Sequence, residues 1–278
     1  MSDRVAATSP LQPQPWPLGD GDPELSPFPQ PAPAADRPLV LLVDRRGAAS
    51  SPAWRQRLLQ SLSTPELERL QRFRLPRDAE SFLLGRGLMR AWLAQLLGCG
   101  AADLPFTALA HGKPVVVGAP HFNVSHSGDL ILLGLHPDRA VGVDLERYRT
   151  QLDWPAIARR YLGEAALLQL RRQHPDEPTQ RRAFLLEWCR LEARLKADGR
   201  GLSGASSGAW AGVCWPLQMP EGYQGAAALQ PAALPAPALP APGPQSHGLE
   251  SRAGALDQGS GGLAEASTAS GAIHIASP

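Results

Sequence analysis

The chain has 278 residues, with 27 basic against 26 acidic side chains for a net charge of +1, and 43% of it is hydrophobic. So even a balance gives no global field that would mark nucleic acid or a membrane surface as a partner. No apolar run is long enough to span a bilayer or to form a secretory signal. The three cysteines, Cys99, Cys189 and Cys214, lack metal-ligand spacing, which points to a reducing cytoplasm.

In chain order, residues 1–37 hold nine prolines and no apolar period, and read as a disordered leader. Pro38–Val43 (PLVLLV) reads as a buried strand. Ser63-Thr64-Pro65-Glu66 is a helix start, with Thr64 as cap and Pro65 at the first helical position. The next segment places apolar residues at 82, 84, 88, 89, 92, 93 and 96, a helical stripe that ends at Gly98. Gly85 and Gly87 within it each cost about 1 kcal/mol relative to alanine. Close approach of a backbone or a ligand would explain them, and so would simple tolerance.

Leu104–Leu109 reads as a short strand and Ala110–Pro114 as a turn. Phe122–Val124 leads into Ser125-His126-Ser127-Gly128, read as a tight polar turn. The apolar runs Leu130–Leu135 and Val141–Leu145 follow, separated by a turn at 136–139. Asp153 is expected to cap a helix with Pro155 in its first turn. HPDEPTQ reads as a loop, within which Thr179 caps a long helix that stops at Gly199. That helix carries the stripe Phe184, Trp188, Leu191 and Leu195. Residues 231–278 are mostly Ala, Pro, Gly and Ser and read as a disordered tail, which leaves about 190 residues to bury a core.

Three features carry chemistry. Side chains two apart on a strand share a face, so Asp144 and Glu146 converge. Hard cations such as magnesium take one or two carboxylates plus phosphate oxygens. Glu192 and Lys196, four apart, share a helix face. Of 27 basic residues only Lys113 and Lys196 are lysine, a pattern suited to sites that need a compact, flexible ammonium. Taken singly, each has an ordinary reading: a solvated hairpin end, a surface salt bridge, chance. The arginines 77, 86 and 90 by themselves read as a solvated helix face.

In combination, FN-x-SHS followed by V-G-V-D-L-E resembles the surfactin-type 4′-phosphopantetheinyl transferases. So does W-x-x-x-E-A-x-x-K-x-x-G-x-G-L, matched at Trp188, Glu192, Ala193, Lys196, Gly199, Gly201 and Leu202. The R-D-A…G-R helix, and Gly-Lys-Pro nine residues before FNVSHS, extend the likeness. One position departs: the lysine that precedes the family's glutamate is Leu191 here. At Ser81 many relatives carry an arginine.

The resemblance covers about residues 38–230. It implies an α+β fold of two similar lobes, about 38–145 and 146–230, in a pseudo-twofold arrangement with the ligand cleft between them. It further implies a magnesium-dependent transfer of the 4′-phosphopantetheine arm of coenzyme A to a serine of an acyl or peptidyl carrier protein, releasing adenosine 3′,5′-bisphosphate. Asp144, Glu146 and Glu192 are then the metal ligands, and Glu192 and Lys196 the catalytic pair. Arg77, Arg86, Gly112, Lys113, Ser125 and His126 are coenzyme contacts, with Asn123 shaping the turn. A monomer is expected, with no nucleic-acid or membrane partner. The six arginines against four acids between Glu66 and Arg90 form a candidate docking face for an acidic carrier, although a solvated helix surface explains the same count. Leu191, Ser81 and a shortened, glycine-rich segment after Leu202 leave an alternative, a degenerate relative that binds coenzyme A or a carrier without catalysis. A phosphatase acting on coenzyme A would share the metal site but need no carrier.

Overall fold

The computed structural model describes residues 9–16, 28–30, 36–46, 51–109, 111–199 and 210–232. The fold is mixed α and β. Nine strands are described: β1 (Gln14–Pro15), β2 (Leu39–Asp44), β3 (Thr107–Ala108), β4 (Pro114–Val115), β5 (His121–Ser127), β6 (Leu130–His136), β7 (Val141–Arg147), β8 (Val213–Pro216) and β9 (Tyr223–Leu229). The six described helices are α1 (Pro52–Ser61), α2 (Thr64–Gln71), α3 (Pro76–Leu97), α4 (Trp154–Tyr161), α5 (Glu164–Gln173) and α6 (Glu177–Asp198).

The first sheet has the order β1-β2-β6-β5 and the second β7-β9-β8; β3 and β4 form a separate two-stranded ribbon. Strand β6 is apolar at nearly every position because both of its faces are covered. Ile131 and Leu133 pack with Trp54, Leu58, Leu88 and Trp92 from α1 and α3. Leu130 and Leu132 meet Val143, Leu145 and Ala227 of the second sheet. An unbroken hydrophobic strand is the sequence form such double burial takes.

The two glycines inside α3 are explained by packing against protein. A Cβ on Gly85 would lie 3.1 Å from the Val124 side chain, and one on Gly87 3.0 Å from Leu58. Helix α6 approaches the second sheet still more closely. A Cβ on Gly142 would run into the backbone of Ala193 and Ala197, and the seam is lined by Ala193, Ala197, Ala226 and Ala228. Both long helices end on a left-handed glycine, Gly98 at φ 66° and Gly199 at φ 72°, the usual αL termination.

Four local expectations change. Ser63, not Thr64, caps α2: its amide and hydroxyl both donate to Glu66 Oε2 at 3.0 Å, closing a capping box. Asp176, not Thr179, caps α6 by accepting from the Thr179 amide at 2.9 Å. The helix therefore begins inside the HPDEPTQ segment. Ser125-His126-Ser127 is not a turn; β5 runs through Ser127, which pairs with Leu130 across Gly128 and Asp129.

The fourth change concerns residues 1–37, read as structureless. Pieces of them pack on the fold: β1 pairs with β2, and Leu11 bridges to Leu217 beside β8. Phe28, 4% exposed, stacks between Trp16 and Trp92, and Trp92 Nε1 donates to the Pro29 carbonyl at 2.9 Å. Isolated aromatics among prolines leave no periodic signal, although each buries a large apolar surface. Gly201, Leu202 and residues 233–278 lie outside the described residues.

Candidate active site

Strand β7 presents Gly142, Asp144 and Glu146 to one side and Val143 and Leu145 to the other, as the two-residue period requires. Asp144 and Glu146 are only 4% and 7% exposed, and Glu192 on α6 is 6% exposed. Lys196 Nζ, one helical turn beyond Glu192, donates to Asp144 Oδ1 at 2.6 Å and to Ser125 Oγ at 3.2 Å. Ser125 Oγ itself donates to Asp144 Oδ1 at 3.0 Å. Three carboxylates and one ammonium thus share a buried region between β5, β7 and α6.

Their electrostatics are strained in one direction. Burial pushes the Glu192 carboxyl up to about 7; Lys196 pulls it down and Asp144 pushes it further up. Burial, reinforced by Asp144, likewise raises Glu146, with the Ser127 hydroxyl opposing. For Lys196 burial works against the charge, but Asp144, Glu192 and Glu146 outweigh it and hold the ammonium above its ordinary value. Asp144 Oδ2 and Glu192 Oε1 are buried with no hydrogen-bond partner. Such oxygens are costly unless something satisfies them. Among the described residues no three acidic, histidine or cysteine side chains close into a ready-made metal cage.

The remaining candidates divide by location. His126 faces α3 and, with Arg86, Asn123, Ser81 and Phe82, lines a cavity of about 240 Å³ between α3 and β5. Arg86 pairs with Glu66 at 3.2 Å and stacks over Phe106 at 4.6 Å. Arg77 is exposed in the first turn of α3. Gly112, at φ 78°, makes the turn between β3 and β4.

Lys113 Nζ donates to the Val141 and Ala197 carbonyls, both at 3.1 Å. It thereby pins the β3–β4 ribbon to the C-terminal end of α6, where carbonyls and the helix dipole favour a cation. Asn123 Oδ1 accepts from the Val143 amide at 2.9 Å, so it ties β5 to β7 and shapes no turn. Leu191, where the sequence likeness calls for lysine, packs against the Trp154–Phe184–Trp188 cluster.

Sequence reasoning missed Ser127, which is 1% exposed and donates to Glu146 Oε2 at 3.0 Å. Its spacing of two from Ser125 was the available signal. It also missed the buried Glu66–Arg90 pair at 2.5 Å.

Two family models match. The 4′-phosphopantetheinyl transferase N-terminal model covers residues 48–137, and the 4′-phosphopantetheinyl transferase superfamily model covers residues 140–215. The chain is 35% identical over 153 residues to the 4′-phosphopantetheinyl transferase HetI of Nostoc, covering 53% of this chain and 64% of that protein. It is 33% identical over 149 residues to the transferase ffp of Bacillus subtilis, at 53% and 64%. With a phosphopantetheinyl transferase of Thraustochytrium it shares 39% over 179 residues, at 56% and 59%. The matched part spans about six tenths of the length of these curated relatives. Among the described residues no helix is long and apolar enough to cross a membrane. Two adjoining models of one family, together with relatives that share its activity name, give one result: the chain belongs to the 4′-phosphopantetheinyl transferase superfamily.

Proposed function

We propose that the protein transfers the 4′-phosphopantetheine arm of coenzyme A to a serine of an acyl or peptidyl carrier protein, releasing adenosine 3′,5′-bisphosphate. One observation carries this reading: in a chain of this family, two unpartnered carboxylate oxygens are buried beside a charged lysine. The donor set suits magnesium, which prefers oxygen ligands and keeps positions for phosphate and water rather than a closed protein cage. Asp144, Glu146 and Glu192 would hold it. When bound, it supplies charge neutralisation at the phosphorus under attack.

The chain's own groups supply the rest. Glu192, directly or through a water, takes the proton of the carrier serine. The serine oxygen bonds to the β-phosphorus of coenzyme A as the bond to the departing bisphosphate breaks. Lys196, kept protonated by its acidic neighbours, meets the charge that develops on the leaving phosphate. His126 in the cavity, Arg86 at its wall and Arg77 at the start of α3 hold the coenzyme's phosphates. The ribbon of Gly112 and Lys113 lies against the adenosine side.

The two-lobed, pseudo-twofold reading belongs to the same proposal. Its support is that α3 and α6, each 22 residues long, pack on different sheets. A cytoplasmic monomer completes the reading. Incubation with a carrier protein, coenzyme A and magnesium should add the mass of the arm to the carrier. No added mass across fatty-acid, polyketide and peptide-synthetase carriers overturns transfer. Magnesium-dependent coenzyme binding without transfer selects instead the non-catalytic relative, for which Leu191 speaks.

A further inference from the structure

Strands β5 and β7 run side by side yet belong to different sheets. The amides of β7 are met instead by β5 side chains at every second position. Asn123 accepts from Val143 N at 2.9 Å, Ser125 from Leu145 N at 3.3 Å, and Ser127 from Arg147 N at 3.1 Å. The two serines do a second thing. Each hydroxyl turns its proton to the carboxylate one residue earlier on β7, Ser125 to Asp144 and Ser127 to Glu146, both at 3.0 Å. A hydroxyl has one proton, and the amide that it accepts from fixes where that proton can point. The same two-bond unit is therefore built twice, once for each acidic side chain.

The two copies differ in backup. Asp144 is also held by Lys196 at 2.6 Å. Glu146 is longer by one rotatable bond; besides the attraction of the Arg149 and Lys196 charges, Ser127 gives it a directed hydrogen bond. We propose that Ser127 is a positioning residue of the transfer site: its hydroxyl, anchored on the Arg147 amide, aims the Glu146 carboxylate at the cation. This rests on the reading that Asp144 and Glu146 face a divalent metal. Partners that orient ligating carboxylates typically change metal affinity by about ten- to a hundredfold when removed.

The test is a double-mutant cycle on the full chain. Manganese(II) binding is followed by electron paramagnetic resonance at saturating coenzyme A, for wild type, Ser127→Ala, Glu146→Gln and the double variant. Ser127→Ala should weaken manganese binding by about tenfold or more in the wild-type background. In the Glu146→Gln background it should change binding by less than about twofold, because the group it acts through is altered. Ser127→Cys, which keeps the side-chain shape with a larger and weaker donor, should fall between serine and alanine. It replaces alanine in the cycle should that variant not fold. Equal weakening in both backgrounds makes Ser127 merely structural and overturns the proposal. So does manganese binding by Ser127→Ala as tight as by wild type. Wild type that binds no manganese overturns the metal reading itself, and this proposal with it.

Discussion

Two clusters of buried charge sit in this fold, and they are built on opposite plans. Around Glu66 each carboxylate oxygen has its own guanidinium, Arg86 at 3.2 Å and Arg90 at 2.5 Å. Arg90 spends further donors on the carbonyls of Ala101 and Leu104, at 2.6 and 3.2 Å. Both guanidinium groups stack on Phe106. One acid thus serves two cations and a helix cap, and the cluster joins α2 to α3. Around Asp144 the ratio is inverted, with three carboxylates for one ammonium and two oxygens left over. A buried charge group that is balanced holds structure. One that is left unbalanced and sealed in is waiting for a counter-charge from outside the chain.

The sharpest way to break this comparison is to remove one acid from each. Glu66→Ala strands two cations and opens the α2 cap. It should cost about 3–5 kcal/mol, because two largely buried guanidinium groups lose their counter-charge. For a domain of this size that lowers the thermal midpoint by roughly 10 °C. Glu192→Gln should do the reverse. Relief of like-charge crowding leaves the midpoint unchanged or higher, while loss of the base and of a metal ligand slows transfer by about a hundred- to a thousandfold. Calorimetry and a carrier-loading assay on both variants check the pair of outcomes. A Glu192→Gln protein that transfers at the wild-type rate makes the acidic cluster a structural feature like its counterpart.

A smaller effect follows for Lys113, whose ammonium burial pushes down to about 8. Lys113→Met keeps the stem and loses two hydrogen bonds to the Val141 and Ala197 carbonyls. It should cost about 1–3 kcal/mol of stability, read by the same calorimetry. If the stability is unchanged and only the coenzyme KM rises, Lys113 serves the ligand and not the joint.

Much of the balanced plan's scaffold, and half of the unbalanced one, can be read from the amino acids. The stripes of α3 and α6, their terminal glycines and the convergence of Asp144 with Glu146 are local periodicities, and each is realised. What escaped depends on a second segment. Ser125-His126-Ser127 looks like a turn until β7 is placed beside it, since those hydroxyls take the role of a backbone ladder. Nothing local announces that Lys113 reaches the carbonyls of Val141 and Ala197. Ser63 and Thr64 are both good caps on paper, and only the reach of Glu66 back to the Ser63 amide decides between them.

The smallest difference between the clusters is one of pH, and its sign can be worked out. Glu192 has its carboxyl raised to about 7 against an ordinary 4.5, and Glu146 is raised as well. Between the unfolded and folded values the native state holds protons that the unfolded chain has released. Stability from this source is therefore complete at low pH and is lost as pH rises through the folded value. With chelator present, the thermal midpoint of wild type should fall by several degrees between about pH 5.5 and 8.5. In Glu192→Gln the slope should flatten, because one of the titrating groups is gone. Magnesium with coenzyme A should shrink the wild-type slope too, since a ligand that binds only the native state takes over from the proton as counter-charge. The difference between wild type and Glu192→Gln removes whatever the histidines contribute. If that difference is flat across the range, Glu192 is ionised and comfortable without a metal, and the two clusters are less unlike than their partners suggest.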